Sequence, residues 1–222
     1  MKSYISILKL DFEKNANAQI AAQMKAYMKG QFDYFGIKSP IRKELVKEFF
    51  KQNGLPKDEN LKDFIKGIWF LPQREFKYVA IELMDMKIKV MDESWVDFAA
   101  ELLVFESWWD TVDGISANVS GKLLQKFPHL AEEKSLNWSH SGNMWLQRMS
   151  LLFQLKYKSK TDTKLLTKYI EQHIDSKEFF IRKAIGWILR EYAKTNPQWV
   201  VEFCNNHPNL SGLSRREALK RL

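Results

Sequence analysis

The sequence predicts an all-α solenoid of stacked two-helix repeats, and three observations lead to this class. Only 9 Gly and 6 Pro interrupt 222 residues, and apolar residues between them recur three or four positions apart, as in Val79, Leu83 and Met86. No stretch alternates between apolar and polar residues as a half-buried strand would. Helix-start signals stand at positions 39, 73, 107, 141 and 176, so the spacing is 34, 34, 34 and 35 residues. Such a period is typical of stacked helical repeats.

Each predicted repeat has a long first helix and a more amphipathic second helix. Ser39 and Pro40 offer an N-cap followed by proline at the first helical position. Gln73 follows a proline that ends the preceding helix. A serine precedes each of the next three first helices, at Ser107, Ser141 and Ser176. The second helices are predicted over 58–71, 93–104, 128–138, 161–174 and 197–205.

Two organisations fit this pattern. An irregular helical bundle with matching helix lengths is the alternative to the solenoid. The segment Gly54–Asn60 has the composition of a loop, and no linker is long enough to divide the chain. Residues 1–222 are therefore predicted to form a single repeat domain.

The charge balance favours a polyanionic partner. Lys and Arg number 35 against 27 Asp and Glu, which gives a formal net charge of +8. A well-solvated lysine-rich surface is the alternative interpretation. With a single cysteine, Cys204, no intramolecular disulfide is possible. The segment Met1–Lys9 lacks the apolar run of a signal peptide, and no stretch reaches the roughly 18 apolar residues of a membrane span. A soluble, intracellular protein is expected.

The repeat geometry brings distant polar residues to one surface, because equivalent helices of a solenoid line the same face. Asp113 lies 6 residues after position 107, Arg148 lies 7 after position 141 and Lys183 lies 7 after position 176. These three side chains are expected near one level of three successive first helices.

The segment Ser107–Asp113 contains the most informative pattern. Trp109 and Asp113 are four residues apart, so they share one face of a helix. The adjacent Trp108 points about 100° away, which predicts that Trp108 packs inward and Trp109 lines the surface. A solvated or salt-bridged role for Asp113, with Arg148 as partner, is the alternative. Asp110 is a competing carboxylate at the helix start.

The later helices supply cations beside aromatic rings. Arg148 is the lone basic residue of an apolar helix, where it needs a phosphate or a carboxylate partner. Lys183, Trp187 and Arg190 form one helical stripe that suits a sugar–phosphate backbone, although core packing of Trp187 is the alternative. Gly186 within this helix predicts close approach of another backbone.

Other chemistries find little support. The four His residues show no metal-ligand spacing, and Cys204 with His207 lacks a third catalytic partner. Neither a glycine-rich phosphate loop nor a serine nucleophile elbow is present. No metal and no cofactor are predicted.

The chain resembles the AlkD-type DNA alkylpurine glycosylases, which are built from HEAT-like repeats. The resemblance covers nearly the whole chain. It is carried by the segments Phe35–Arg42, Trp108–Asp113, Trp145–Arg148 and Phe179–Trp187. It implies a right-handed solenoid of HEAT-like repeats with a concave basic groove.

The resemblance also implies an activity. The functional set would be Trp109, Asp113, Arg148 and Trp187, and the substrates would be N3- and N7-alkylated purines in double-stranded DNA, released without a cofactor. With the residues above, this makes Asp113, Trp109 and Trp187 catalytic. The DNA-binding residues would be Arg148, Lys183, Arg190, Tyr27 and Lys38, although some family members carry Gln at the position of Lys38.

A mechanism follows from this assignment. The alkylated purine is already cationic and leaves readily, so the sugar becomes oxocarbenium-like. Asp113 would stabilise that charge and position water.

The rival classes are a non-catalytic DNA-binding repeat protein and a protein-interaction scaffold. A cytoplasmic monomer that associates with the nucleoid through DNA is expected.

Overall fold

The chain is all-helical in its computed structural model, which describes residues 2–220 and 222, with side chains from Tyr4 onward. The helices gather into two compact units, one within the first 90 residues and one from Met91 onward. Over the described residues there is no strand, and a single bridge joins Asp33 and Gln73. The predicted all-α class is therefore confirmed.

The first unit contains five α-helices and two short 3₁₀ turns, Asp58–Asn60 and Ile88–Val90. The helices are α1 (Lys2–Lys14), α2 (Ala18–Tyr27), α3 (Ser39–Asn53), α4 (Leu61–Trp69) and α5 (Arg74–Lys87). Three rings form part of its core: Phe12 stacks on Phe76 with centroids 5.1 Å apart, and Phe35 meets Phe76 edge-on at 5.6 Å. Such pairs add about 0.5–1.5 kcal/mol beyond their buried area.

A buried carboxylate fixes the loop that leads into α3. Glu75 is fully buried and accepts hydrogen bonds from the backbone N–H groups of Phe35, Gly36 and Ile37 at 3.2, 2.9 and 3.2 Å. Gly36 has φ +85°, and a Cβ there would overlap the carbonyl oxygen of Asn17. The start of α3, with Lys38 at its N-cap, is thus held rigidly.

The second unit contains the remaining helices. They are α6 (Ser94–Leu103), α7 (Trp109–Gly114), α8 (Gly121–Lys126), α9 (Ala131–His140), α10 (Met144–Leu152), α11 (Thr163–His173), α12 (Phe179–Ala193), α13 (Pro197–Asn206) and α14 (Gly212–Ala218). A π-helical segment, Ile115–Ser120, joins α7 to α8. Two 3₁₀ turns, Pro128–Leu130 and Lys158–Lys160, complete the unit.

The predicted repeat pattern matches the observed helices closely. Helices α3, α5, α7, α10 and α12 begin within three residues of the predicted start signals. Helices α4, α6 and α11 fall in the predicted second-helix ranges, whereas α9 and α13 end two residues and one residue beyond theirs. The capping predictions need correction. Ser39 lies inside α3, whose N-cap is Lys38, and the Asn143 side chain caps α10 by accepting from Trp145 N and Leu146 N.

Among the described residues, none of the helices combines the length and apolarity required for a membrane crossing.

Candidate active site

A cleft of about 320 Å³ in the second unit gathers most of the sequence-predicted site residues. It opens between α7, α10, α12 and α14. Its lining consists of Trp109, Asp113, Arg148, Phe179, Phe180, Lys183, Trp187, Arg190 and Glu217. Three cations and two carboxylates therefore face one another across aromatic walls. The expectation that equivalent levels of α7, α10 and α12 converge is confirmed.

Asp113 and Arg148 form a bidentate ion pair. Arg148 Nε donates to Asp113 Oδ1 at 2.7 Å, and Arg148 Nη2 donates to Oδ2 at 2.9 Å. Arg148 Nη1 donates to the carbonyl oxygen of Phe180. The Arg148 side chain is only 4% exposed, whereas that of Asp113 is 14% exposed. Both residues line the cleft, and the carboxylate is the more exposed member of the pair.

This geometry shows the ion pair that was the alternative role for Arg148. Three of its five N–H donors are engaged by Asp113 and Phe180. A planar guanidinium orients a carboxylate in this way with two parallel hydrogen bonds. The assignment of Arg148 to DNA binding stays a prediction.

The environment of Asp113 shifts the pKa of its carboxyl group. Burial raises the pKa of the Asp113 carboxyl above its ordinary value, and the negative charge of Asp110 acts in the same direction. The hydrogen bonds and positive charge of Arg148 lower this pKa and oppose the shift. Asp110 therefore acts on the site through its charge.

The two adjacent tryptophans divide as the helical geometry predicted. Trp108 packs against Trp145 and Phe180, with ring centroids 5.8 and 5.3 Å away, while Trp109 lines the cleft. Trp145 and Phe180 lie 4.9 Å apart and complete an aromatic cluster behind the cleft. This cluster fixes the start of α7 and therefore the direction of Asp113, one helical turn later.

The helix that carries Asp113 is irregular directly after it. The π-helical segment Ile115–Ser120 begins two residues beyond Asp113, and Ser116 Oγ donates to the Val112 carbonyl at 2.6 Å. Short π-helical segments within α-helices are often found at functional sites. A Cβ at Gly121, which follows the segment, would overlap the carbonyl oxygen of Phe153. The glycine thus allows this helix to lie against the end of α10.

The stripe on α12 also lies on the cleft. Lys183, Trp187 and Arg190 all contribute to its wall, so Trp187 is not sealed in the core. Glu217 on α14 pairs with both cations: its Oε1 lies 2.9 Å from Lys183 Nζ, and its Oε2 accepts from the Arg190 guanidinium. These contacts hold the pKa of Glu217 below its usual range, with the Lys183 hydrogen bond as the largest cause.

Three cleft residues, Phe179, Phe180 and Glu217, were not singled out from the sequence. Phe179 is the first residue of α12, and its side chain is unusually exposed for an aromatic residue. The Phe179–Phe180 pair carried a usable signal, because two adjacent helical residues cannot both pack inward. Glu217 carried no such signal, because it lies in a short basic helix distant from α12 in sequence.

Gly186 explains why α14 lies so close to α12. A Cβ at Gly186 would lie 2.5 Å from Glu217 Cβ and 2.8 Å from the carbonyl oxygen of Ser214. Ser214 Oγ also donates to the Arg182 carbonyl at 2.9 Å. The prediction of a close backbone approach at Gly186 is confirmed.

Tyr27 and Lys38 belong to the first unit, and both are exposed there. Tyr27 ends α2 with 71% of its surface accessible, and Lys38 precedes α3. Their assignment to DNA binding stays a prediction.

The remaining reactive groups have structural surroundings. Cys204 is buried, and burial raises the pKa of its thiol, which disfavours the nucleophilic thiolate. His207 stacks on Phe203 and contacts Glu171 Oε1 through Nε2 at 3.0 Å. Within the described part of the chain, no cluster of three or more His, Cys, Asp or Glu side chains has the arrangement of a metal site.

Comparison with known proteins identifies the family of this chain. Residues 8–222 match the family model of DNA alkylation repair enzymes. A solved structure described as a predicted DNA alkylation repair enzyme from Enterococcus faecalis is similar with a TM-score of 0.86 and 36% sequence identity, covering 93% of this chain and 96% of that one. No functionally curated protein matches. Because the family model spans almost the whole chain, this protein belongs to the DNA alkylation repair enzyme family.

Proposed function

We propose that this protein is a DNA glycosylase that hydrolyses the N-glycosidic bond of cationic N3- and N7-alkylated purines in duplex DNA. The observation that carries the proposal is the placement of Asp113: a carboxylate reaches an aromatic and cationic cleft, and two hydrogen bonds from Arg148 fix its plane. Membership of a DNA alkylation repair family supports alkylated DNA as the substrate.

The reaction separates a base that already carries positive charge. The bond between C1′ and the purine nitrogen breaks, and the electron pair leaves with the base, which becomes neutral. The sugar is left oxocarbenium-like. Water adds to C1′ and passes a proton to the bulk solvent, which completes an abasic site. No general acid is needed, because the leaving base needs no further protonation.

Asp113 supplies the stabilising charge, and Arg148 moderates it. A carboxylate about 4 Å from a unit charge contributes about 4 kcal/mol at an effective dielectric near 20, and a guanidinium about 8 Å away opposes this by about 2 kcal/mol. The net effect of the pair is about 2 kcal/mol. The ring faces of Trp109 and Trp187, at about 0.5–2 kcal/mol each, are then of similar importance.

Asp113 also retains the means to bind water. An ionised carboxylate has about four lone-pair positions, of which Arg148 uses two. Since Asp113 lines the cleft, the other two could accept a hydrogen bond from the attacking water. Arg148 is therefore a positioning residue in this proposal, and Asp113 with the two indoles forms the catalytic set.

The cations of α12 would hold the DNA backbone. Lys183 and Arg190 flank Trp187, and phosphate contacts of such residues position a duplex without reading its sequence. Tyr27 and Lys38 of the first unit would add further contacts. We propose that the base need not be flipped into a pocket, so bulky adducts would be tolerated, and that the enzyme acts as a cytoplasmic monomer without metal or cofactor.

The deciding experiment is release of free base. Duplex DNA carrying 7-methylguanine or 3-methyladenine is incubated with the protein, and free alkylpurine is separated and quantified, with unmodified DNA as control. Release by the parent and its loss in Asp113→Asn support the proposal. Tight DNA binding without release would identify a non-catalytic DNA-binding protein. Weak binding at physiological salt would favour a protein-interaction scaffold.

A further inference from the structure

Glu217 places a negative charge in a cleft that is proposed to bind DNA, where only positive or neutral side chains would be expected. Its side chain is 17% exposed and lines the cleft beside Lys183 and Arg190. Each carboxylate oxygen engages one of these cations. A negative charge at this place repels phosphate, so its presence requires a compensating function.

The backbone that carries Glu217 is fixed from several directions. Gly186 allows α14 to lie against α12, and Ser214 Oγ donates to the Arg182 carbonyl. Arg215 Nη2 donates to the carbonyl oxygens of Cys204 and His207 at 2.6 and 3.0 Å. The Glu217 carboxylate therefore starts from a rigid support, unlike the long side chains that it contacts.

Lys183 and Arg190 keep donors that Glu217 does not use. An ammonium has three N–H donors and a guanidinium has five, and Glu217 accepts one from each residue. Free Lys and Arg side chains lose rotamer freedom when a ligand orders them, which lowers the affinity. A carboxylate that orders both in advance removes this cost and sets the direction of the remaining donors.

We propose that Glu217 is a positioning residue, which holds Lys183 and Arg190 so that their remaining donors form one seat for a DNA phosphate beside Asp113. This inference rests on the proposed glycosylase function. A phosphate held in this seat fixes the sugar against the Asp113 carboxylate. Loss of Glu217 therefore affects the reaction after binding more than the binding itself, because small displacements of a reacting group cost rate steeply.

The variant Glu217→Gln separates these effects. It removes a negative charge, so DNA affinity should stay equal or increase, whereas single-turnover release at saturating enzyme should fall about tenfold. The matched control is Glu191→Gln, which removes the same charge from α12 at a residue that pairs with Lys194 and does not line the cleft. This control should release base at the parent rate. Glu217→Asp keeps the charge but shortens the arm by one methylene, and it should lose rate as Glu217→Gln does.

A second background tests whether Glu217 acts through its two partners. In Lys183→Ala/Arg190→Ala, the added Glu217→Gln change should alter the release rate by less than about twofold, because interacting residues are non-additive. A parent-like rate for Glu217→Gln and Glu217→Asp at saturation would overturn the inference. A loss of about tenfold in release rate on adding Glu217→Gln to the double variant would also overturn it. If the parent releases no base, the proposed function fails and this inference with it; an active parent beside active Glu217 variants overturns the inference alone.

Discussion

Asp113 and Arg148 meet at two points, with Oδ1 2.7 Å from Nε and Oδ2 2.9 Å from Nη2, on the wall of a cleft. The pair joins α7 to α10, and the carboxylate is its more exposed member. Its geometry creates a compromise. Arg148 orients Asp113 and opposes the rise of its pKa that burial causes, and the same positive charge weakens the attraction that Asp113 offers to a cationic sugar.

Asp113→Asn should lose about a thousandfold in single-turnover release, because it removes about 4 kcal/mol of charge stabilisation. The variant should still bind DNA. It should also be less stable, because the change breaks an ion pair. Breaking a fully buried pair costs about 3–5 kcal/mol, and the loss here should be smaller because Asp113 is partly exposed. Release assays and thermal melts measure the two effects. Parent-like release from a folded Asp113→Asn protein would eliminate the mechanism.

The double variant Asp113→Asn/Arg148→Met should release base faster than Asp113→Asn alone. The single variant leaves an uncompensated guanidinium that repels the cationic sugar, and the second change removes it. With a net loss of about 2 kcal/mol, the double variant should be about thirtyfold slower than the parent. A double-mutant cycle measures this coupling. Additive or worse loss in the double variant would show that Arg148 contributes more than orientation.

The pH dependence of release should report Asp113. Catalysis requires the ionised carboxylate, and the pKa of Asp113 is raised by burial. The rate should therefore fall as the pH decreases through a value above that of an ordinary aspartate, about 3.9. Arg148→Lys should move this acid limb to higher pH, because a partner that lowers the pKa is weakened. Asp110→Asn should move it to lower pH, because a charge that raises the pKa is lost. Unchanged limbs in both variants would assign the titration to another group.

Lys183→Ala should weaken binding to all duplex sequences and reduce the slope of log affinity against log salt by about 1. The reason is that a phosphate contact releases a condensed counterion. Fluorescence anisotropy between low and physiological salt measures the slope. Lys168→Ala, at a lysine of α11 paired with Glu132, provides the comparison outside the cleft. An unaltered slope for Lys183→Ala would argue against a phosphate at this position.

Gly186→Ala should destabilise the protein by about 1–3 kcal/mol, because the new methyl group meets the backbone of α14. Gly67→Ala in α4 is the matched control. The Cβ there would meet only the terminal Cδ1 atom of the flexible Ile5 side chain, 2.5 Å away, and alanine favours a helix by about 1 kcal/mol over glycine. Chemical unfolding compares the two. Equal stability of both variants would contradict tight packing between α12 and α14.

Much of the fold and part of the site follow from local sequence patterns. The period of 34 to 35 residues predicts the paired helices, because each repeat uses the same spacing of apolar and breaker residues. The four-residue spacing of Trp109 and Asp113 predicts their common face, because helical periodicity is a local property. Gly186 predicts a close backbone approach, because glycine costs about 1 kcal/mol relative to alanine within a helix and a packing contact would account for it.

Tertiary structure alone decided which charged groups pair. Arg148 could have met a phosphate or a carboxylate, and only the packing of α10 against α7 directs its donors to Asp113. Glu217 enters the cleft because α14 packs onto α12. The sequence of neither segment predicts that these two helices are in contact. The sequence by itself thus determined the helices, their repeat and the cationic character of the chain. The electrostatics of the site depended on distances between side chains far apart in sequence, and Coulomb energy varies with those distances rather than with residue type alone.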